Sequence, residues 1–225
     1  MPTREDDHYA ARAASFADLE RMRDHFWWRP GWRVGRSHYT FHVTFDRSPV
    51  VVELARYYRD RLTLPSLDPV PDEGLHLTMQ GVGFTDEVSR DDIGAIAEAA
   101  RVRCARLTPF EVELGPVDAD PEGVMFNVRP WSGFEEVRDT VREAIADVWG
   151  AERVPEPADG FVPHVTVAYS NSSVPAGPLR EALARVEPVT LAVPIRSVQL
   201  IDLNRDEKVY RWSTVADLPF SPEGA

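Results

Sequence analysis

Leu75-His76-Leu77-Thr78-Met79 and Val162-Pro163-His164-Val165-Thr166-Val167-Ala168-Tyr169 are the two stretches whose reading decides the fold. Each begins with His-x-Thr and continues as an apolar run. Each follows a loop punctuated by Pro, Asp and Gly: Pro71-Asp72-Glu73-Gly74 before the first, Asp159-Gly160 before the second. Such runs after such punctuation read as strands. On a strand, residues i and i+2 point to the same side, roughly 6 to 7 Å apart. Each tripeptide therefore offers an imidazole and a hydroxyl to one surface, while Leu77 or Val165 anchors the strand in the core.

The pattern is denser than chance. With six His in the chain and Thr at roughly one position in twenty, about 0.3 His-x-Thr tripeptides are expected. Four occur, at His38, His42, His76 and His164. The first two share the segment from Ser37 to Phe45, which alternates strictly. Tyr39, Phe41, Val43 and Phe45 fall on one face; His38, Thr40, His42 and Thr44 fall on the other. Period two with aromatic and β-branched residues predicts another strand.

Outward from these strands the chain alternates. A helix is expected over 10–26, ended by Pro30-Gly31, and another from Ser48 as N-cap with Pro49 at its first position. A Pro-rich loop leads to the strand 75–84, followed by a helix over 90–107 and a strand over 110–117. After a turn at 118–123 the cadence returns: strand 124–129, helix 133–149, Pro-rich loop 154–160, strand 162–169. A short helix near 179–186 and strands near 195–203 and 208–215 close the chain. Both halves run strand, helix, Pro-rich loop, His-x-Thr strand. The class is α+β, with two lobes of antiparallel sheet and helices outside. Residues 1–36 read as a Trp-rich helical extension, 37–215 as the two-lobed domain and 216–225 as a tail.

The totals narrow the function. The 225 residues are 43% hydrophobic, enough for a sizeable core. A net charge of −12 disfavours sequence-blind binding to duplex DNA, but leaves a small phosphate ester or one RNA end free to enter a locally polar cleft. One cysteine, Cys104, allows no intramolecular disulfide and no Cys-based zinc site, and no activating motif beside it marks a nucleophile. The N-terminus lacks the apolar run of a secretory signal, and no stretch approaches the roughly 20 apolar residues of a membrane span. A cytoplasmic, monomeric protein without a membrane partner is expected.

Two His-x-Thr strands side by side surround one small anion with two imidazoles and two hydroxyls. That set suits phosphodiester chemistry: one neutral His accepts a proton from water, and the other, protonated, gives one to the leaving oxygen. The threonines donate to the non-bridging oxygens. A zinc site built from the histidines is the lesser reading, because no His-x-x-x-His on a helix and no carboxylate ligand set accompanies them.

The paired motifs, with Pro163 before the second His, resemble those of the two-histidine phosphoesterase superfamily, which includes the bacterial 2′-5′ RNA ligase and RNA 2′,3′-cyclic phosphodiesterase group. The resemblance covers about residues 37–215. It implies a bilobal fold with pseudo-twofold symmetry around a central cleft, no metal or other cofactor, and cyclic or 2′-5′ phosphodiesters of a nucleotide or RNA end as substrates. It also implies His76 and His164 as acid and base, and Thr78 and Thr166 as phosphate donors.

Three further residues are candidates for substrate binding. Tyr169 stands where many members of the superfamily carry Arg or Lys, so the phosphate's cation is missing at that position. His42 would line the cleft from the neighbouring strand. Gln80, at i+4 from His76, would share its face. The basic aromatic segment Trp27-Trp28-Arg29-Pro30-Gly31-Trp32-Arg33 is read as packing onto the body; as a lid it would supply the missing cation. Tyr210 and Trp212 are read as core. A non-catalytic nucleotide-binding module and a 2′-5′ RNA ligase remain the alternatives to a phosphodiesterase.

Overall fold

In the computed structural model, which describes residues 2–221, the first motif opens strand β3 (His76–Phe84). With β1 (His38–Thr44), β8 (Ser197–Asn204) and β9 (Arg211–Pro219) it forms a four-stranded sheet in the order β3-β1-β8-β9. The second motif leads into β6 (Val165–Ser170). That strand belongs to a five-stranded sheet with β2 (Leu67–Pro69), β4 (Phe110–Asp120), β5 (Gly123–Arg129) and β7 (Leu191–Ile195), ordered β2-β6-β5-β4-β7. Every strand pairing is antiparallel. β3 and β6 contact each other, so the two motifs meet where the sheets meet.

Helices α3 (Arg90–Cys104) and α4 (Ser132–Trp149) pack on one another and against the four-stranded sheet. Helices α1 (Arg4–Ala17) and α2 (Pro49–Arg59) cover the five-stranded sheet, and α5 (Gly177–Leu183) follows β6. The core runs continuously through both lobes, with Phe41, Leu77, Phe126, Val165 and Leu200 fully buried. This is the expected α+β fold of two antiparallel sheets with outer helices.

Several boundaries differ from the sequence reading, each for a physical reason. α1 spans 4–17 rather than 10–26, because Thr3 and Asp6 close a reciprocal capping box at its start. Beyond Asp18 the backbone instead bonds across the chain: the Met22 N–H donates to the Val174 carbonyl at 2.8 Å, Arg23 to Pro121 at 2.7 Å and His25 to Ser170 at 2.8 Å. β2 and β7 were not expected, since each contains Pro (Pro69 and Pro194). Both are outer strands, where a missing N–H is tolerated. β9 runs past 215 to Pro219, and residues 222–225 of the expected tail lie outside the described residues.

Two irregularities position the site. Along β1 and β3, Phe41 pairs with Gln80 but His42 pairs with Thr78, leaving Met79 as an extra residue. Along β5 and β6, Val124 pairs with Ala168 but Met125 pairs with Thr166, leaving Val167 extra. Each motif threonine is thus followed immediately by a bulge, and a one-residue bulge reverses which later residues face the cleft.

Candidate active site

His76, Thr78, His164 and Thr166 line one cleft of about 320 Å³ between the sheets. The two imidazoles are held alike. His76 Nδ1 lies 2.7 Å from the carbonyl oxygen of Gly74, and His164 Nδ1 lies 2.9 Å from that of Val162. A carbonyl only accepts, so Nδ1 carries the hydrogen in both rings. Nε2 is left as the exchanging nitrogen of each. The loops that the sequence showed before each motif supply these carbonyls.

The bulges decide what else reaches the cleft. Without them Gln80, four residues beyond His76, would share its face. With them the fifth residue after each His takes that place: Gly81 after His76 and Tyr169 after His164, both in the cleft wall. Gln80, expected in the cleft, therefore does not line it. It is fully buried, and its Nε2 donates to the carbonyls of Pro155 at 2.7 Å and Gly81 at 2.9 Å. Its Oε1 accepts from Arg142 Nη1 at 2.7 Å. Arg142 also donates to the Pro155 and Glu156 carbonyls, and Arg138 to those of Met79 and Pro157. Through these bonds α4 fastens the loop 154–160, which leads to the second motif, onto the strand of the first.

Tyr169 is buried in the wall with its ring stacked on His25, centroids 3.9 Å apart. Burial pushes its pKa well above the ordinary value, so it stays protonated. A phenol brings no positive charge to the wall; two guanidinium groups stand elsewhere in it. Arg29 and Arg205 both line the cleft with Tyr169. Arg205 is 3% exposed, its guanidinium 5.3 Å from the Phe26 ring centroid, 5.6 Å from Trp32 and 5.8 Å from Tyr210. It donates to the carbonyls of His25 and Trp27. Arg29 pairs with Glu122 at 2.7 Å. Sequence reasoning missed Arg205 because it sits in a turn, and nothing local shows that the turn reaches the cleft.

The Trp-rich segment is not simple core. Met22 and Phe26 are buried, but Trp27 and Trp28 are 44% and 49% exposed. His25, Arg29 and Trp32 enter the cleft wall. The segment runs from the five-stranded sheet, at Ser170 and Glu122, to β3's far end, where Arg36 pairs with Asp86 and Glu87. Tyr210 packs against the core and also lines the cleft, and Trp212 is half-buried. Their rings meet His76 edge-on at 5.5 Å, and Tyr210 hydroxyl lies 3.0 Å from His25 Nε2.

His42 is 1% exposed and lies parallel to His76, ring centroids 4.4 Å apart and planes 4° apart. Its Nε2 is 3.2 Å from Thr78 Oγ1. It touches the cleft only at its floor. His38, farther along β1, stacks on Trp32 at the cleft's end.

Burial sets the charge state of these rings. It pushes His76 down to about 4, against the Gly74 carbonyl, which favours the protonated form; nearby His164 lowers it further. His164 is also lowered, by desolvation first and then by Arg12, although the residue as a whole is exposed; the Val162 carbonyl and Asp120 oppose that shift. His42 is held well below the ordinary imidazole value by burial and by His76. His25 falls to about 3 by burial and by Arg29 and Arg205, the Glu122 carboxylate 3.2 Å from its Nδ1 being shared with Arg29 and Arg23. Burial pushes the Cys104 thiol up to about 12, which keeps it inert. Among the described residues no group of three or more His, Cys, Asp or Glu is arranged to hold a metal ion, and no helix is long and apolar enough to cross a membrane.

The sequence profile of the 2′-5′ RNA ligase superfamily matches residues 50–207, more than half of the chain. The chain belongs to the 2′-5′ RNA ligase superfamily. The match spans both motif strands and Arg205 but not His42 or Arg29, which lie before residue 50. Solved structures share the superfamily's fold. TT0787 of Thermus thermophilus is 20% identical with a TM-score of 0.66, over 83% of this chain and 99% of that one. Escherichia coli LigT complexed with phosphate is 17% identical with a TM-score of 0.60, over 83% and 98%. LigT complexed with 3′-AMP gives 17% and 0.60, over 82% and 98%. At these identities the likeness is one of fold. No curated protein matches the sequence.

Proposed function

We propose that this member of the superfamily is a metal-independent phosphodiesterase that opens a cyclic or 2′-5′ phosphodiester on a nucleotide or RNA end. One observation carries the reading: two imidazoles, each fixed through Nδ1 by a backbone carbonyl, present their free Nε2 atoms to one cleft beside two threonine hydroxyls. Binding alone requires no such pair of exchangeable nitrogens. The binding of phosphate and of 3′-AMP by LigT, which shares the fold, is consistent with a phosphate seated there.

The roles follow from the electrostatics. His76, with its pKa near 4, is neutral at physiological pH and acts as the base. Its Nε2 takes a proton from water as the water oxygen bonds to phosphorus. His164 is more exposed; burial and Arg12 lower its pKa too, but the Val162 carbonyl and Asp120 oppose that shift, and it is assigned as the acid. It gives its Nε2 proton to the ester oxygen as the opposite P–O bond breaks, and an incoming phosphate raises its readiness to hold that proton. Thr78 and Thr166 donate to the non-bridging oxygens, and Arg29 with Arg205 supplies the positive charge absent at Tyr169. A 5′-hydroxyl in place of water would turn the same step toward ligation.

The test is incubation of the full chain with the four 2′,3′-cyclic nucleotides and with 2′-5′-linked dinucleotides, in EDTA, with products identified by mass spectrometry. Hydrolysis of a cyclic or 2′-5′ substrate supports the reading. Saturable binding without turnover would replace it with a nucleotide-binding module.

A further inference from the structure

Of the five imidazoles that line the cleft, His42 is the one stacked on His76, and neither of the paired motifs contains it. Its ring is almost wholly enclosed, with His76 flat against one face and Trp212 edge-on, centroids 6.0 Å apart. One of its nitrogens has a partner: Nε2, 3.2 Å from Thr78 Oγ1. The other, Nδ1, is buried with none among the described residues.

A neutral imidazole has one N–H and one lone pair, so two tautomers are possible. With the hydrogen on Nδ1, a buried donor is orphaned. Thr78 must then turn its only proton back to Nε2, and it meets the phosphate with lone pairs alone. With the hydrogen on Nε2, only a lone pair is orphaned, and the Thr78 oxygen is filled from behind. Its own proton is then free to point outward. Orphaned buried N–H groups are rarer than under-used acceptors, and two acceptors facing each other repel. The second tautomer satisfies both the interior and the cleft.

We propose that His42 is a positioning residue which, as the Nε2–H tautomer, donates to Thr78 and commits that threonine's only proton to the phosphate in the cleft. The parallel stack requires the same neutrality, since a charged ring 4.4 Å from His76 would oppose its protonation during turnover. The catalytic consequence rests on the phosphodiesterase reading above; the tautomer does not.

The tautomer is read directly by long-range ¹H–¹⁵N spectra of full-length protein labelled in histidine, with His42 assigned from the signals missing in His42→Gln. A protonated Nε2 and bare Nδ1 at neutral pH are expected. A protonated Nδ1, or a charged ring, would overturn the proposal whether or not any substrate turns over. For function, His42→Leu should lower kcat roughly 10-fold, a part of what a lost transition-state donor costs. His42→Gln, whose amide N–H reaches toward the same place, should recover most of that rate. In a Thr78→Val background, His42→Leu should cost almost nothing further. Additive losses, or Gln no better than Leu, would sink the coupling. Inorganic phosphate binding by calorimetry, followed across the same variants, gives the comparison without turnover: weakening by His42→Leu that Thr78→Val abolishes supports the proposal, and independent effects refute it.

Discussion

His76 and His164 are mirror images in their anchoring: each gives its Nδ1 hydrogen to the backbone carbonyl two residues earlier, at 2.7 and 2.9 Å. The contact is local, so each loop and its strand set a ring's tautomer without help from the other lobe. What differs is the surroundings, with His76 8% exposed and His164 exposed as a whole. On the proposed reading, it is these unequal environments that separate the base from the acid.

Replacing either ring by Ala should therefore lower turnover of a 2′,3′-cyclic nucleotide by roughly 10²–10⁴. His164→Ala should leave the urea midpoint near that of the parent, because the residue is exposed. His76→Ala should lower the midpoint as well, since it empties a buried volume beside Trp212 and Tyr210. A near-normal rate in either variant would remove that residue from the mechanism.

The pH dependence follows from the directions of the shifts. The base must be neutral, so the acidic limb of kcat/KM tracks His76, near 4. The acid must be protonated, so the alkaline limb tracks His164, which lies below the ordinary imidazole value. The free-enzyme optimum should fall on the acid side of neutrality. Bound phosphate favours the protonated His164, so the alkaline limb of kcat should lie at higher pH than that of kcat/KM. Coincident limbs in the two profiles would contradict these assignments.

The same burial makes stability pH-dependent. The unfolded chain binds a proton at His76 near 6.5, whereas the folded protein resists it until about 4. Between those values the unfolded state holds more protons, so stability is greatest above the upper value and falls as pH drops through the window. A shift of that size is on the order of 3 kcal/mol. Urea midpoints at about pH 7.5 and about pH 4.5 should differ accordingly, and His76→Gln should shrink the difference. An unchanged difference in that variant would place the acid sensitivity elsewhere.

The legible part of this molecule is the part governed by local rules. Alternation in 37–45, the cap at Ser48-Pro49 and the His-x-Thr pairs all announce themselves within a few residues. Gln80 shows where such reading stops. Its parity from His76 is right for a regular strand, and the bulge at Met79 reverses it. That bulge depends on how β1 pairs, which no window around Gln80 contains. Arg205 is hidden for a related reason: its turn reaches the cleft only through packing against Phe26 and Trp32, whereas Arg29 lies in the basic aromatic segment that the sequence offers as a source of the cation. The pairing of Pro69 and Pro194 into outer strands is likewise a property of the assembled sheet.

Gln80 consequently belongs to stability. Replacing it by Ala removes one partner each from the Pro155 carbonyl and Arg142, which still bond each other, and opens a buried space. A loss of about 2–4 kcal/mol is expected, as for other buried polar truncations. Urea unfolding measures it, and KM for any substrate found should change less than threefold, roughly within what a residue outside the cleft would show. A large rise in KM at unchanged stability would restore Gln80 to the substrate.

Arg29 and Arg205 should separate by what each also supports. Arg29 is partly exposed and holds one carboxylate, Glu122, at 2.7 Å. Arg29→Gln removes a charge from the cleft wall without opening the core, so on the proposed reading KM should rise roughly 10-fold, the scale of one charge-assisted hydrogen bond, with kcat much less affected. Arg205 is enclosed by Phe26, Trp32 and Tyr210 and ties down the backbone of His25 and Trp27. Arg205→Lys keeps the charge but loses the planar fork and the stacking. It should loosen the Trp-rich segment, seen as faster proteolysis near Trp27 and Trp28, and raise KM at the same time. If Arg205→Lys binds substrate normally while the segment is cut faster, Arg205 serves only the segment, and Arg29 alone carries the cation role.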